Sequence, residues 1–230
     1  MVGFLKQYPY LCWSALLLMV FLAIFFVVKE ARRIMIISGI ASAIYSFAAI
    51  VFVPEYWQPV LLIQSTVGLE DLVFSFANGG IVCFLAIWPF RRKMTASYTL
   101  GSLVGRFLIW TFIGAILCYT IRRTGASVMT CFLFTMMIIG IMLLLQQKWY
   151  WPLSLAGAIG FSVLYVGVMA FLGFCFPDFH QQWTLPNLYG QRFLTFPLEE
   201  FLWALGFGAV FPMIMASVFQ IRIIRLRVEN

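Results

Sequence analysis

Charge is scarce in this chain. Only 10% of its 230 residues are Asp, Glu, Lys or Arg, and the acids number eight. So little charge cannot cover the surface of a water-soluble domain, and no separate soluble domain is expected. Histidine occurs once, as His180, which argues against a metal site or a His-based nucleophile. The five cysteines, Cys12, Cys83, Cys118, Cys131 and Cys175, lack the paired spacing of a disulfide framework or zinc site and read as packing residues. A phosphate-binding or dinucleotide fingerprint is missing too. Gly206-Phe207-Gly208-Ala209 lies within an apolar run instead of at a strand-to-helix turn, so no flavin, nucleotide or other cofactor is expected. The four lysines, Lys6, Lys29, Lys93 and Lys148, all fall at the ends of apolar runs. That argues against a retinal Schiff base, which needs a lysine within the membrane.

What fills the chain instead is apolar sequence, with 63% hydrophobic residues and a mean hydropathy of +1.00. Runs near 10–28, 34–53, 71–90, 98–121, 125–145, 151–176 and 201–221 each approach the ~20 residues that cross a bilayer as a helix. They are continuous instead of alternating, which is unlike a β-barrel. The fold class expected is therefore all-α, a polytopic membrane helix bundle of seven transmembrane helices. The first run lacks a clear small-residue cleavage site and is followed by basic residues from Lys29 to Arg33, so it reads as a retained helix.

The net charge of +7 follows from where the cations sit. Basic residues collect on the cytoplasmic side. With the N-terminus outside, that side gathers Lys29, Arg32, Arg33, Arg91, Arg92, Lys93, Lys148, Arg222, Arg225 and Arg227, against Lys6, Arg122, Arg123 and Arg192 outside. This favours a multi-pass protein of a bacterial inner membrane with its C-terminus in the cytoplasm, although Arg122-Arg123 runs against the rule. The basicity requires no nucleic-acid partner. Arg106, the one cation well inside a run, is expected to be a structural residue reaching for the inner face, or else a partner of an acid.

Four of the eight acids are spent in two similar phrases, Leu69-Glu70-Asp71-Leu72-Val73-Phe74 and Leu198-Glu199-Glu200-Phe201-Leu202-Trp203. A loop with Trp57 and Pro59 precedes the first, and one with Trp183 and Pro186 precedes the second. The chain thus divides into two pseudo-symmetric three-helix repeats, 1–93 and 125–230, joined by a linker helix within 94–124. Parallel repeats of this kind place both acidic pairs on the same face, with a site between the halves.

Acids at a membrane boundary are costly to bury. Helix capping accounts for one acid of each pair, since carboxylates favour helix N-termini and Pro197 suits a helix start. Two contiguous acids, repeated in the same context, go beyond capping. Adjacent carboxyls compete for one proton, so one member of each pair is expected to be protonated near neutral pH. A protonated carboxyl in an apolar pocket can protonate an alkene, and the resulting carbocation needs water excluded and aromatic faces nearby. A carboxylate then takes a proton back. The candidate catalytic residues are Glu70, Asp71, Glu199 and Glu200. Phe74 and Trp203, one turn below the pairs, together with Phe76, Asn78, Trp57 and Trp183, are candidate substrate contacts.

Pro197-Leu198-Glu199-Glu200 resembles the Pro-x-Glu-Glu signature of the membrane-embedded lycopene cyclase domain family. The resemblance covers most of the chain, including the Trp-x-Pro loop and the first acidic phrase. It implies two similar three-helix repeats, a linear carotenoid or other polyisoprenoid substrate, and ring closure without net redox change. Carried over, Glu199 and Glu200 match the family's acidic pair, and Glu70 and Asp71 its counterpart. Gly68 stands where a proline is expected, and Asp71 where a second glutamate is expected. On this reading Glu199→Gln abolishes turnover in a folded protein. The competing readings are a proton-coupled transporter of a lipid or small hydrophobic molecule, and a non-catalytic subunit of a carotenoid enzyme complex.

Overall fold

Wherever the sequence runs apolar for the thickness of a bilayer, the backbone closes its hydrogen bonds within a helix, because lipid offers no other partner. The computed structural model describes residues 7–183 and 189–223. Lys6, Pro186, Arg225 and Arg227 lie outside the described residues, as do the side chains of Lys93 and His180. Seven helical spans result: α1 (Pro9–Val27), α2 (Lys29–Phe52), α3 (Leu69–Arg92), α4 (Leu100–Arg122), α5 (Val128–Gln146), α6 (Lys148–Cys175) and α7 (Leu198–Val218). The protein is an all-α, multi-pass membrane bundle.

Several spans begin earlier than the apolar runs suggest, and α3 and α7 are the two that matter for the acids. α3 starts at Leu69 and α7 at Leu198, so all four acids sit in the first helical turn. The physical reason is that the first turn carries unpaired N–H groups, and it tolerates acids that an apolar-run criterion rejects.

α3 lies centrally, packed against α1, α2, α6 and α7, while α7 packs against α4, α5 and α6. In each group of three, the third helix rests on the first two, which barely touch one another. α4 is the peripheral helix, with 17% of its membrane window buried against 56% for α7. Without a hydrophobic drive between helices in lipid, close packing of small residues holds them together. A Cβ on Gly157 of α6 would stand 2.1 Å from the Gly208 carbonyl of α7, and one on Gly79 of α3 would stand 2.2 Å from the Ser42 Cβ of α2.

α2 changes pitch along its length. It is α-helical over Arg32–Ala43, tightens to a 3-10 segment over Ile44–Ala48, and regains one α-turn at Ala49–Phe52. Short two-residue strands decorate the ends. β1 (Met94–Thr95) pairs antiparallel with β4 (Arg222–Ile223), and β2 (Arg192–Phe193) with β3 (Phe196–Pro197), the latter hairpin leading straight into α7.

The two isolated cation questions resolve locally. Arg106 donates to the Ser217 carbonyl at 3.2 Å, beside a Trp110 Nε1 to Ser217 Oγ bond of 3.2 Å. It stabilises the C-terminal end of α7, where a cation is favoured, about 25 Å of helix from Glu200. Arg106 therefore serves the structural role and is no partner of the acids. Arg122, at the acidic end, pairs with Glu55 at 2.5 Å. The same Glu55 accepts the Val128 N–H that opens α5, at 3.1 Å.

Candidate functional site: an aromatic cavity with a carboxyl on two walls

α3 and α7 start at the same end of the bundle, and the second acid of each phrase faces a common cavity of about 910 Å³. Successive helical residues turn by about 100°, so the two acids of a pair cannot share a direction. Asp71 and Glu200 line the cavity; Glu70 and Glu199 turn into the loops before their helices.

The outward pair are loop clamps. Glu70 Oε1 accepts the Leu62 N–H at 2.7 Å, and Glu199 Oε1 accepts the Tyr189 N–H. Each acid thus holds the segment eight or ten positions before it. Both are buried, and Glu199 Oε2 finds no partner among the described residues.

The inward pair differ in a way that their preceding residues explain. Gly68 donates its backbone N–H to Asp71 Oδ2 at 2.7 Å, the carboxylate half of a capping box. Pro197, in the same place before α7, has no N–H to give. Glu200 is thereby released from capping, and its oxygens take side-chain donors: Tyr56 Oη and Trp183 Nε1, each 3.0 Å from Oε1, and Tyr165 Oη on Oε2. Asp71 Oδ1 accepts from Tyr10 Oη at 2.7 Å.

A common pattern emerges from the donor types. In each acid one oxygen meets an N–H, which only donates: Gly68 for Asp71, Trp183 for Glu200. The other meets a tyrosine hydroxyl, which can donate or accept. A proton on either carboxyl is therefore accommodated on the oxygen facing Tyr10 or Tyr165, with that hydrogen bond reversed. Tyr56, which lies outside the spans, stays a donor: burial first, then the adjacent Glu200 charge, pushes its phenol well above the ordinary 10.0.

Below the acids the walls are aromatic. Trp203 stacks on Phe207 at 5.1 Å and Phe207 on Phe211 at 5.0 Å, a ladder at i, i+4 and i+8 of α7. Phe74 of α3 faces Trp203 at 6.1 Å. Trp57 and Trp183, from the two loops, meet at 5.3 Å, and Trp13 touches both. The cavity wall includes exposed Phe47 and Val51 of α2 and exposed Ala115 and Tyr119 of α4. These four side chains bring the cavity wall to the outer surface of the bundle at two of its spans. Tyr45 Oη and Thr111 Oγ1, 3.1 Å apart, bridge them deeper down.

Of the residues marked in the sequence, Trp57, Asp71, Phe74, Asn78, Trp183, Glu200 and Trp203 line the cavity. Phe76 does not. It packs on Phe21 at 4.9 Å and fills the space over Gly39, since it lies two positions, about 200°, round the helix from Phe74. Tyr10, Trp13, Tyr56, Tyr165, Phe207 and Phe211 line the cavity as well, and the sequence reading misses them. For Tyr165 the available signal is a tyrosine in the middle of an apolar run, because its hydroxyl needs a buried partner. Among the described residues no group of three His, Cys, Asp or Glu side chains converges to hold a metal. No protein-family model, curated protein or solved structure matches the chain. The fold and cavity define a class, a multi-pass helical membrane protein with two buried carboxyls set into an aromatic chamber.

Proposed function

We propose that the chain is an integral membrane cyclase of a carotenoid or other linear polyisoprenoid. The observation that carries this reading is the convergence of Asp71 and Glu200, from two similar phrases, on one aromatic cavity whose wall includes exposed residues of two spans. The resemblance to the membrane-embedded lycopene cyclase domain family points the same way, and the two helix groups are its repeats.

One carboxyl delivers a proton to a terminal alkene carbon. The cation formed at the neighbouring carbon is attacked by a second double bond of the same chain, which closes the ring. A proton then leaves an adjacent carbon to a carboxylate, so composition and oxidation state are unchanged. Glu200, whose partners leave it free of helix capping, is the donor, with the proton on the oxygen facing Tyr165. Asp71 shares proton return with it. Trp203, Phe207 and Phe74 offer π faces to the cation. Glu70 and Glu199 act indirectly, by fixing the loops that carry Trp57 and Trp183. The acidic end is assigned to the outer membrane face, opposite Arg32, Arg33, Arg91 and Arg92.

Expression in lycopene-producing bacteria, followed by chromatography and mass spectrometry of the pigments, tests the reading. A cyclic product of unchanged mass, lost in Glu200→Gln, is expected. Unchanged lycopene and unchanged alternative polyisoprenoids beside membrane-inserted protein would overturn it, and proton-gradient-dependent flux in liposomes would then assign a carrier.

A further inference from the structure

Below the acids the two central helices part ways. α3 presents Asp71, Phe74, Ser75 and Asn78 to the cavity, and α7 presents Glu200, Trp203 and Phe207. Asn78 and Phe207 stand seven positions after their acids, so equivalent places hold an amide on one wall and a stacked ring on the other.

Asn78 is 1% exposed, and neither its Oδ1 nor its Nδ2 has a hydrogen-bond partner among the described residues. Buried amides left bare on both atoms are rare, because folding strips their water without replacing it. Ser46 Oγ, on the 3-10 segment of α2, also lines the cavity and is also bare among the described residues. An apolar residue at position 78 would pack there without that cost, as Phe207 does opposite. A bare amide offers one donor and one acceptor side by side, and a hydroxyl group answers both.

We infer that Asn78 is the subsite for a hydroxyl carried by the isoprenoid ligand, with Ser46 a second bare polar group in the cavity wall. Seven residues of helix place this subsite about 10 Å below Asp71. The preferred ligand is therefore an oxygenated polyene, with its hydroxyl that far from the end that meets the acids. This inference rests on the polyene reading of the cavity.

Binding, read without turnover, separates the two. The full chain in nanodiscs is titrated with a linear hydrocarbon polyene, with its counterpart hydroxylated about 10 Å from one end, and with an isomer hydroxylated at the terminal carbon. The readout is quenching of the tryptophans lining the cavity. The internally hydroxylated polyene is expected to bind about tenfold tighter than the other two, a fold-change within reach of one well-placed polar contact. Asn78→Leu and Asn78→Ala are expected to abolish that preference, so that hydroxylated and hydrocarbon polyenes bind alike, and to leave the unliganded melting temperature unchanged or higher. Equal affinity of the wild type for all three, or a preference surviving in both variants, overturns the inference and leaves the cyclase reading intact. Failure to bind any polyene overturns both.

Discussion

Tyr56 and Glu200 are 144 positions apart in the chain and share a buried hydrogen bond of 3.0 Å. The phenol comes from the segment after α2 and the carboxyl from the first turn of α7. The second tyrosine on Glu200, Tyr165, comes from α6. One acid is thus shaped by elements drawn from both ends of the sequence.

The two members of an acidic pair are expected to separate in mutagenesis. Glu200→Gln removes the group that faces the cavity, and turnover should fall by a factor of at least about a hundred, within the range attributed to general acids. Glu199→Gln, expected from the sequence to abolish turnover, keeps a side-chain oxygen for the Tyr189 amide and should instead retain most of the activity. Pigment ratios at matched protein levels measure both; equal loss in the two variants would sink the assignment of roles.

Alkaline stability reports on Tyr56. Its phenol is held well above 10.0 by burial and by Glu200, so the folded chain keeps a proton that the unfolded chain releases. The stabilisation is complete below about pH 10 and is lost as pH climbs toward the raised folded value. Tyr56→Phe has no proton to lose, so its melting temperature should fall less steeply between about pH 9 and 11 than that of the wild type. Parallel curves would contradict the buried-donor picture.

Gly68 has a steric as well as a hydrogen-bonding role. A Cβ there would stand 2.7 Å from Glu70 Oε2 and 3.1 Å from a Leu61 methyl. Both contacts are the far ends of side chains that can give, so Gly68→Ala should cost less than about 1 kcal/mol, and Gly68→Pro about 1 kcal/mol more, through the lost N–H to Asp71. Thermal unfolding in detergent ranks the three proteins.

The α6–α7 contact is expected to be intolerant of a single methyl. Gly157→Ala and Gly208→Ala each drive a Cβ onto the partner's backbone, at 2.1 and 2.6 Å, and should destabilise the bundle by about 1–3 kcal/mol or more. Gly101→Ala and Gly105→Ala meet nothing within 4 Å and should be neutral or gain up to about 1 kcal/mol. Similar losses at all four sites would point to helix flexibility instead of packing.

At the rim, Arg122→Ala should cost about 1 kcal/mol, because the guanidinium is half-exposed although it also donates to the Ala126 carbonyl. Glu55→Ala also strips the acceptor of the Val128 amide at the start of α5 and should cost about 1 kcal/mol more. A double-mutant cycle followed by thermal melting isolates the pair itself.

Seven membrane helices were legible because lipid demands long apolar runs, and the acids stood out because so few exist. Their division of labour was not legible. Spacing alone treats contiguous acids alike, whereas a turn of about 100° sends Glu199 to a loop and Glu200 to the cavity. The clue that distinguished the two phrases lay just before each helix: Gly68 with an N–H, Pro197 without. Phe76 failed for the same angular reason. Tyr10, Tyr56 and Tyr165 escaped notice because their role depends on contacts 61, 144 and 35 positions away, which no local pattern encodes.

The cross-chain donors around Glu200 also constrain how such a protein can change over time. A cut in the exposed turn at Gly125 would leave Tyr56 on one fragment and Glu200 with Tyr165 and Trp183 on the other. The first piece would keep Asp71 with Tyr10 and Gly68, while the second would hold Glu200 one donor short. Glu200 therefore depends on both halves, and a substitution at Tyr56 is felt as a defect in the half that does not contain it.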